Sequence, residues 1–234
     1  MSLFGISDLH LSFGVNKPMS VFGDVWIDYE KKLVKNWNKQ ANPEDTVIIA
    51  GDISWAMTFK EAVKDYEFIN SLPGKKIILK GNHDYYFSTK TKMEQFLKDN
   101  NFNTISVLYN NAIDNSNYII CGTRGWGIME DATKEENVKL IAREEGRLKI
   151  SLSQAKLIQK DYESKGIKKD ILAVMHFPPF VSNFQTILEE NNVKKCIYGH
   201  LHGYGHKMVK QGMIENIEYV MVGCDYNDFK LIEL

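Results

Sequence analysis

The sequence predicts an α/β fold built on a mixed sheet, and three observations carry that expectation. Short apolar runs rich in Ile, Val and Leu recur along the chain, amphipathic stretches lie between several of them, and all but one of the runs end in a cluster of Asp, His, Asn or Gly. The runs at 3–6, 46–50, 76–79, 118–121, 171–175 and 195–198 read as strands, and the run at 118 is the one without a polar cluster behind it. Residues 25–40 and 58–71 carry apolar side chains at helical spacing, with Ala62, Tyr66 and Ile69 on one stripe. Thr58 with Glu61 three residues on is a capping-box pattern, and Pro73-Gly74 closes that helix. Thr133 with Glu136 repeats the signal for the polar stretch 133–165, which reads as a helix pair broken near Ser151, and 88–100 reads as a further helix. The charged run 134–149 pairs opposite signs three and four apart and reads as a solvated helix face. Residues 110–118 and those from Glu215 onward look antiparallel, which makes the sheet mixed. No repeat, low-complexity tract or Pro/Gly/Ser-rich linker marks a boundary, so 1–234 reads as a single domain.

Composition narrows the function classes. Of 234 residues, 44% are hydrophobic and 25% charged, which excludes wholesale disorder. A formal net charge of −1 offers no overall attraction to a polyanion, so bulk binding to nucleic acid is not expected. The cysteines are Cys121, Cys196 and Cys224, odd in number and in no CxxC pair, which argues against a disulfide framework and a thiolate zinc site and fits a reducing compartment. Too few residues precede Asp8 for a signal segment, and no uncharged stretch approaches the roughly 20 residues of a membrane helix. The expected setting is cytoplasmic, without a membrane, and the sequence leaves the oligomeric state open.

Chemistry concentrates just behind the strands. In order stand Asp8 and His10, Gly51 and Asp52, Gly81-Asn82-His83-Asp84, His176, and Gly199 and His200 with His202, a set that holds five of the six histidines. Strand ends on one edge of an α/β sheet converge, which is where such folds build sites. Carboxylate oxygen, imidazole nitrogen and an amide oxygen, without sulfur, suit Mn²⁺, Fe²⁺ or Zn²⁺. In extended backbone, residues two apart share a side, so Asp8 with His10 and His200 with His202 can each address one small volume. Asp8, His10, Asp52, Asn82, His176, His200 and His202 make more donors than one ion takes, and point to two ions sharing a bridging carboxylate.

These five blocks, spanning Asp8 to His202 in the expected order, resemble the calcineurin-like metallophosphoesterase superfamily. The resemblance implies a four-layer sandwich in which two mixed β-sheets pack together and are flanked by helices. It implies that Asp8, His10 and His202 hold one metal, that Asn82, His176 and His200 hold the other, and that Asp52 bridges them. His83 is then the group that binds phosphate and protonates the leaving oxygen, with Asp84 orienting its ring. The implied activity is hydrolysis of a phosphomonoester or phosphodiester in a small phosphorylated substrate by attack of metal-bound hydroxide. The Ser/Thr protein phosphatases of this superfamily continue Gly-Asp with an Asp-Arg pair and have Glu after Gly-Asn-His. Here Trp55 and Ala56 stand in the first place and Asp84 in the second, which turns the likeness toward the smaller prokaryotic phosphohydrolases. Segments 51–56 and 122–126 fit that branch.

Several positions carry two readings. A scaffold that keeps the fold but works through a protein partner, as the retromer-type relative does, competes with the enzyme, although such members tend to lose the acid histidine or several ligands. Asp84 either orients His83 or caps the helix that follows. Trp55, Tyr85 and Tyr86 either stack on a substrate ring or pack. Arg124 either clamps phosphate or sits in an ion pair, and His206 is either a surface residue or a support for its neighbour His202.

Overall fold

The computed structural model describes residues 1–127 and 133–234. The chain forms two compact units, Met1–Val107 with Val222–Leu234, and Leu108–Met221. In the first unit, β1 (Leu3–Ile6), β2 (Thr46–Ile49) and β3 (Lys75–Leu79) run parallel, with Leu3 beside Thr46 and Thr46 beside Lys75. The edges are β4 (Ile105–Leu108) next to β3 and β11 (Ile232–Glu233) antiparallel to β1, in the order β11-β1-β2-β3-β4. Every residue of β1 and β2 is buried, as expected for parallel strands covered on both faces.

Three helices belong to this unit: α1 (Tyr29–Gln40), α2 (Phe59–Ser71) and α3 (Lys90–Asp99). Tyr29, Leu33 and Trp37 form the buried face of α1 at spacings of four, and the Trp37 indole N–H donates to the Pro73 carbonyl at 2.9 Å. The anticipated helix from residue 25 starts later, because Asp28 adopts a left-handed φ of 53° that no helix continues through; two short 3₁₀ turns, Met19–Phe22 and Asp24–Trp26, precede it. The Thr58 capping box is present as read.

The second unit holds a six-stranded sheet, with β5 (Ala112–Asp114), β6 (Tyr118–Thr123), β7 (Asp170–Met175), β8 (Lys195–Tyr198), β9 (Gly212–Ile214) and β10 (Ile217–Met221) in the order β5-β6-β7-β8-β10-β9. The inner four strands are parallel, and β5 and β9 close the edges antiparallel. Both sheets are therefore mixed, and helices flank each. The long α4 (Lys134–Ser164) packs along β5, β6 and β7, and α5 (Phe184–Glu190) contacts α4.

The break anticipated near Ser151 is absent, and α4 runs as one continuous helix. Ser151 is fully buried, donates to the Asn111 carbonyl at 2.6 Å and accepts the Gly122 N–H at 2.8 Å. Its hydroxyl is thus committed to the strands and does not compete for helical backbone. Neither β4 nor α5 was anticipated; each is too short for a periodic pattern to stand out. Among the described residues no helix is long and apolar enough to cross a membrane.

Candidate metal centre

In the first unit, the loops leaving β1 and β2 lie side by side. Asp8 N–H donates to Gly51 O at 2.9 Å, His10 N–H to Asp52 O at 3.0 Å, and Leu11 N–H to Ile53 O at 2.9 Å. Asp8, His10 and Asp52 all take left-handed backbone, with φ of 63°, 46° and 50°. That conformation costs about 1–3 kcal/mol at a non-glycine residue and persists where the surroundings hold it. It presents Asp8 and His10 with one ligand atom each within 4.8 Å of the other. His10 Nε2 lies 3.8 Å from Asp52 Oδ2.

The turn after β3 is fitted against the same loops. A side chain at Gly81 would put its Cβ 2.1 Å from Asp52 Oδ1 and 2.2 Å from the Asp52 nitrogen, so only glycine allows this approach. His83 N–H donates to Asp52 Oδ1 at 2.8 Å, and the His83 ring places Nε2 4.0 Å from Asp52 Oδ2. The His83 side chain keeps 33% of its surface exposed, whereas Asp8, His10 and Asp52 keep 3% or less. His83 is thus the member of this set that a soluble molecule can reach.

Two buried carboxylates clasp these loops. Asp84 Oδ1 accepts the N–H groups of Ile53 (2.9 Å) and Ser54 (3.2 Å) and the Tyr86 hydroxyl (3.0 Å), while Oδ2 accepts Gly81 N–H at 2.7 Å. Burial, and next the Asp52 carboxylate, pushes the Asp84 carboxyl up to about 6, against the pull of those N–H donors. Its bonds run to the loops on either side of His83, and the cap of α3 is Thr89. Asp65, on α2, accepts Phe13 N–H at 2.8 Å and the Ser54 hydroxyl, tying the loop behind His10 to the loop behind Asp52. Burial raises its carboxyl above the usual range, with the Ser54, Phe13 and Gly14 donors opposing. Asp65 was not singled out from the sequence, although an acidic residue inside the buried stripe Ala62, Tyr66, Ile69 was a visible signal.

In the second unit, His176 follows β7, and His200 and His202 follow β8. His176 and Phe177 N–H both donate to the Arg124 carbonyl at 3.0 and 2.9 Å, and Gly199 N–H donates to His176 O at 3.0 Å. The His176 and His200 rings lie edge to face with centroids 5.2 Å apart, and their ligand nitrogens are within 4.8 Å of one another. His200 is again left-handed, with φ of 72°. His202 caps the 3₁₀ turn Gly203–Met208, on which a half-buried His206 lies.

The positions with two readings divide. Tyr86 is buried, with its hydroxyl shared between Asp84 and Tyr66, and therefore packs. Tyr85 is exposed, with its ring 6.2 Å from that of His83. Trp55 stacks on His10 at 4.7 Å. Arg124 lies 3.6 Å from the buried Glu144, which also meets Arg143 and Arg147, and its guanidinium covers Trp126 at 4.8 Å. Burial lowers the Arg124 value, with Glu144 opposing. The ion-pair reading describes Arg124 as it stands.

Residues 1–204 match the family described as calcineurin-like phosphoesterase. The Gene 66 protein of Mycobacterium phage L5 is 33% identical over 78 residues, 33% of this chain and 37% of that protein. An uncharacterized protein of Methanocaldococcus jannaschii is 29% identical over 89 residues, 36% of this chain and 47% of its own length. The matched stretches thus span less than half of either relative. Among solved structures, an Aquifex aeolicus protein of unknown function is similar over 99% of this chain and 95% of its own, with a TM-score of 0.52 at 18% identity. The phosphopantetheinyl hydrolase of Mycobacterium tuberculosis is similar over 100% and 95%, with a TM-score of 0.51 at 12% identity. At these identities the likeness is one of fold.

Proposed function

The chain belongs to the calcineurin-like phosphoesterase family, and on that footing we propose that it is a binuclear metal-dependent phosphoesterase acting on a small phosphorylated substrate. The reading treats 1–234 as one domain to which both units contribute donors. Asp8, His10 and His202 would hold one divalent ion, Asn82, His176 and His200 a second, and Asp52 would serve both. The donors fit such a pair: they are oxygen and nitrogen, Asp8, His10, Asp52 and His176 are buried and the other three half-buried, and four of the seven are kept in left-handed backbone. Bound there, Mn²⁺, Fe²⁺ or Zn²⁺ would supply Lewis-acid stabilisation of the phosphoryl oxygens.

The chain's own contribution rests on Asp52 and His83. One Asp52 oxygen lies 3.8 Å from His10 Nε2 and 4.0 Å from His83 Nε2, and this is the observation that carries the reading. It sets a reachable imidazole beside the carboxylate that would serve both ions. His83 would donate a hydrogen bond to the phosphoryl group and pass its proton to the departing oxygen. Asp84 and Asp65 hold the loops on which Asp52 and His83 ride, so that neither must be ordered when substrate arrives.

The test is metal-stripped protein reloaded with each ion and offered an aryl phosphate. Turnover is expected only in the loaded protein, with about two ions per chain by elemental analysis. His83→Gln should lower kcat by roughly 10²–10⁴-fold at unchanged metal content, and Asp52→Asn should lose both activity and metal. Fully loaded protein inert toward monoester and diester panels would instead favour a scaffold working through a protein partner.

A further inference from the structure

Lys17 lies on the loop that follows His10. Its Nζ rests 3.2 Å from the centre of the Trp55 ring. That ring stacks on His10 at 4.7 Å, with 21° between planes, and lies 4.4 Å from the His83 ring. An ammonium cannot fit between rings 4.7 Å apart, so Lys17 covers the face of Trp55 opposite His10. The indole N–H is engaged by Met19 Sδ at 3.0 Å, and Phe22 stacks from 6.2 Å. Trp55 is therefore a packed platform with no open face for a substrate ring: its ring neighbours His83, and the face turned away from His10 carries a cation.

Among the described residues Lys17 makes no hydrogen bond and no ion pair; the indole face is its partner. In the same unit Lys31 and Lys90 reach carboxylates and Lys76 reaches carbonyls, whereas Lys17 is held by an aromatic face. A half-exposed cation–π contact is weak beside a charge-assisted bond to a phosphate oxygen. An anion arriving next to His83 would therefore draw the ammonium off the ring.

We propose that Lys17 is a substrate-binding residue: it grips a non-bridging phosphoryl oxygen and favours dianionic phosphomonoesters over monoanionic diesters. The selectivity follows from charge, because a monoester near neutral pH carries almost one more negative charge than a diester. The proposal deepens the phosphoesterase reading and rests on it for the identity of the anion.

The experiment uses the full chain loaded with Mn²⁺. Binding of inorganic phosphate is measured by calorimetry, and kcat/KM is measured on p-nitrophenyl phosphate and bis(p-nitrophenyl) phosphate. Wild type, Lys17→Met, Lys17→Arg and the exposed control Lys35→Met are compared. Lys17→Met should weaken phosphate binding and lower kcat/KM on the monoester by roughly ten- to a hundredfold, the range for losing one hydrogen bond to a charged group. The diester should lose clearly less, Lys17→Arg should recover most of the monoester rate, and Lys35→Met should match wild type. Thermal melts, with Lys17→Gln as a second neutral variant, guard against misfolding. A lysine that only packs on Trp55 would leave the monoester-to-diester ratio unmoved; that result, or equal phosphate affinity with and without Lys17, overturns the proposal. A wild type that hydrolyses neither ester while still binding phosphate through Lys17 removes the hydrolytic reading and upholds the anion site.

Discussion

A single missing side chain at Gly81 controls how closely the turn after β3 approaches Asp52. Gly81→Ala must push back the Asp52 carboxyl and backbone together, because both lie near 2 Å from the added carbon. Loss of bound metal and of activity is expected, together with a lowered thermal midpoint; elemental analysis and a melt of the purified variant would check this. The donor types behind each strand were plain in the sequence, because chemistry there demands Asp, Asn and His at fixed offsets. The residues that hold those donors were less visible. Asp84 stood next to His83 in the sequence, which suggested a bond between them, yet its oxygens are spent on Ile53, Ser54, Gly81 and Tyr86. Lys17 lay outside every motif, and only folding sets it on Trp55.

At the scale of elements, α4 shows how a polar residue can mislead. Ser151 marked a break when read along the chain, but across the chain it bridges Gly122 N–H and the Asn111 carbonyl under a continuous helix. Ser151→Ala leaves the buried Gly122 donor unsatisfied and frees the half-buried Asn111 acceptor, and should cost about 1–3 kcal/mol, read from the urea midpoint. The local signals that did hold were those with a backbone mechanism. The Thr58 and Thr133 capping boxes open α2 and α4 as written in the sequence, because side chain and backbone satisfy each other within four residues. The start of α1 failed because the left-handed turn at Asp28 leaves no periodic trace.

For the molecule as a whole, stability should respond to pH through Lys76, whose ammonium is buried among carbonyls at the end of α2. Burial holds it down at about 8, against 10.5 for a free side chain. Between those values the unfolded chain binds more protons than the folded one, so this residue's contribution to stability rises with pH, by on the order of 3 kcal/mol over the full window. Buried thiols, such as Cys121 pushed up to about 12, act in the opposite direction. The difference in unfolding free energy between wild type and Lys76→Met, at pH 7.5 and pH 10.5, isolates the effect, and a flat difference would refute it. The alternation of strands and helices announced an α/β chain, but not that one unit is discontinuous. Pairing between distant segments writes no local pattern, and β1 closes with the far end of the chain: Ser7 N–H reaches Val222 O at 2.8 Å, Cys224 N–H returns to Ser7 O at 3.0 Å, and β11 pairs with β1. On the ribosome, the strand that leads into Asp8 therefore waits for its antiparallel partner β11 until the contiguous stretch Leu108–Met221, which has all its strands in hand first, has been synthesised.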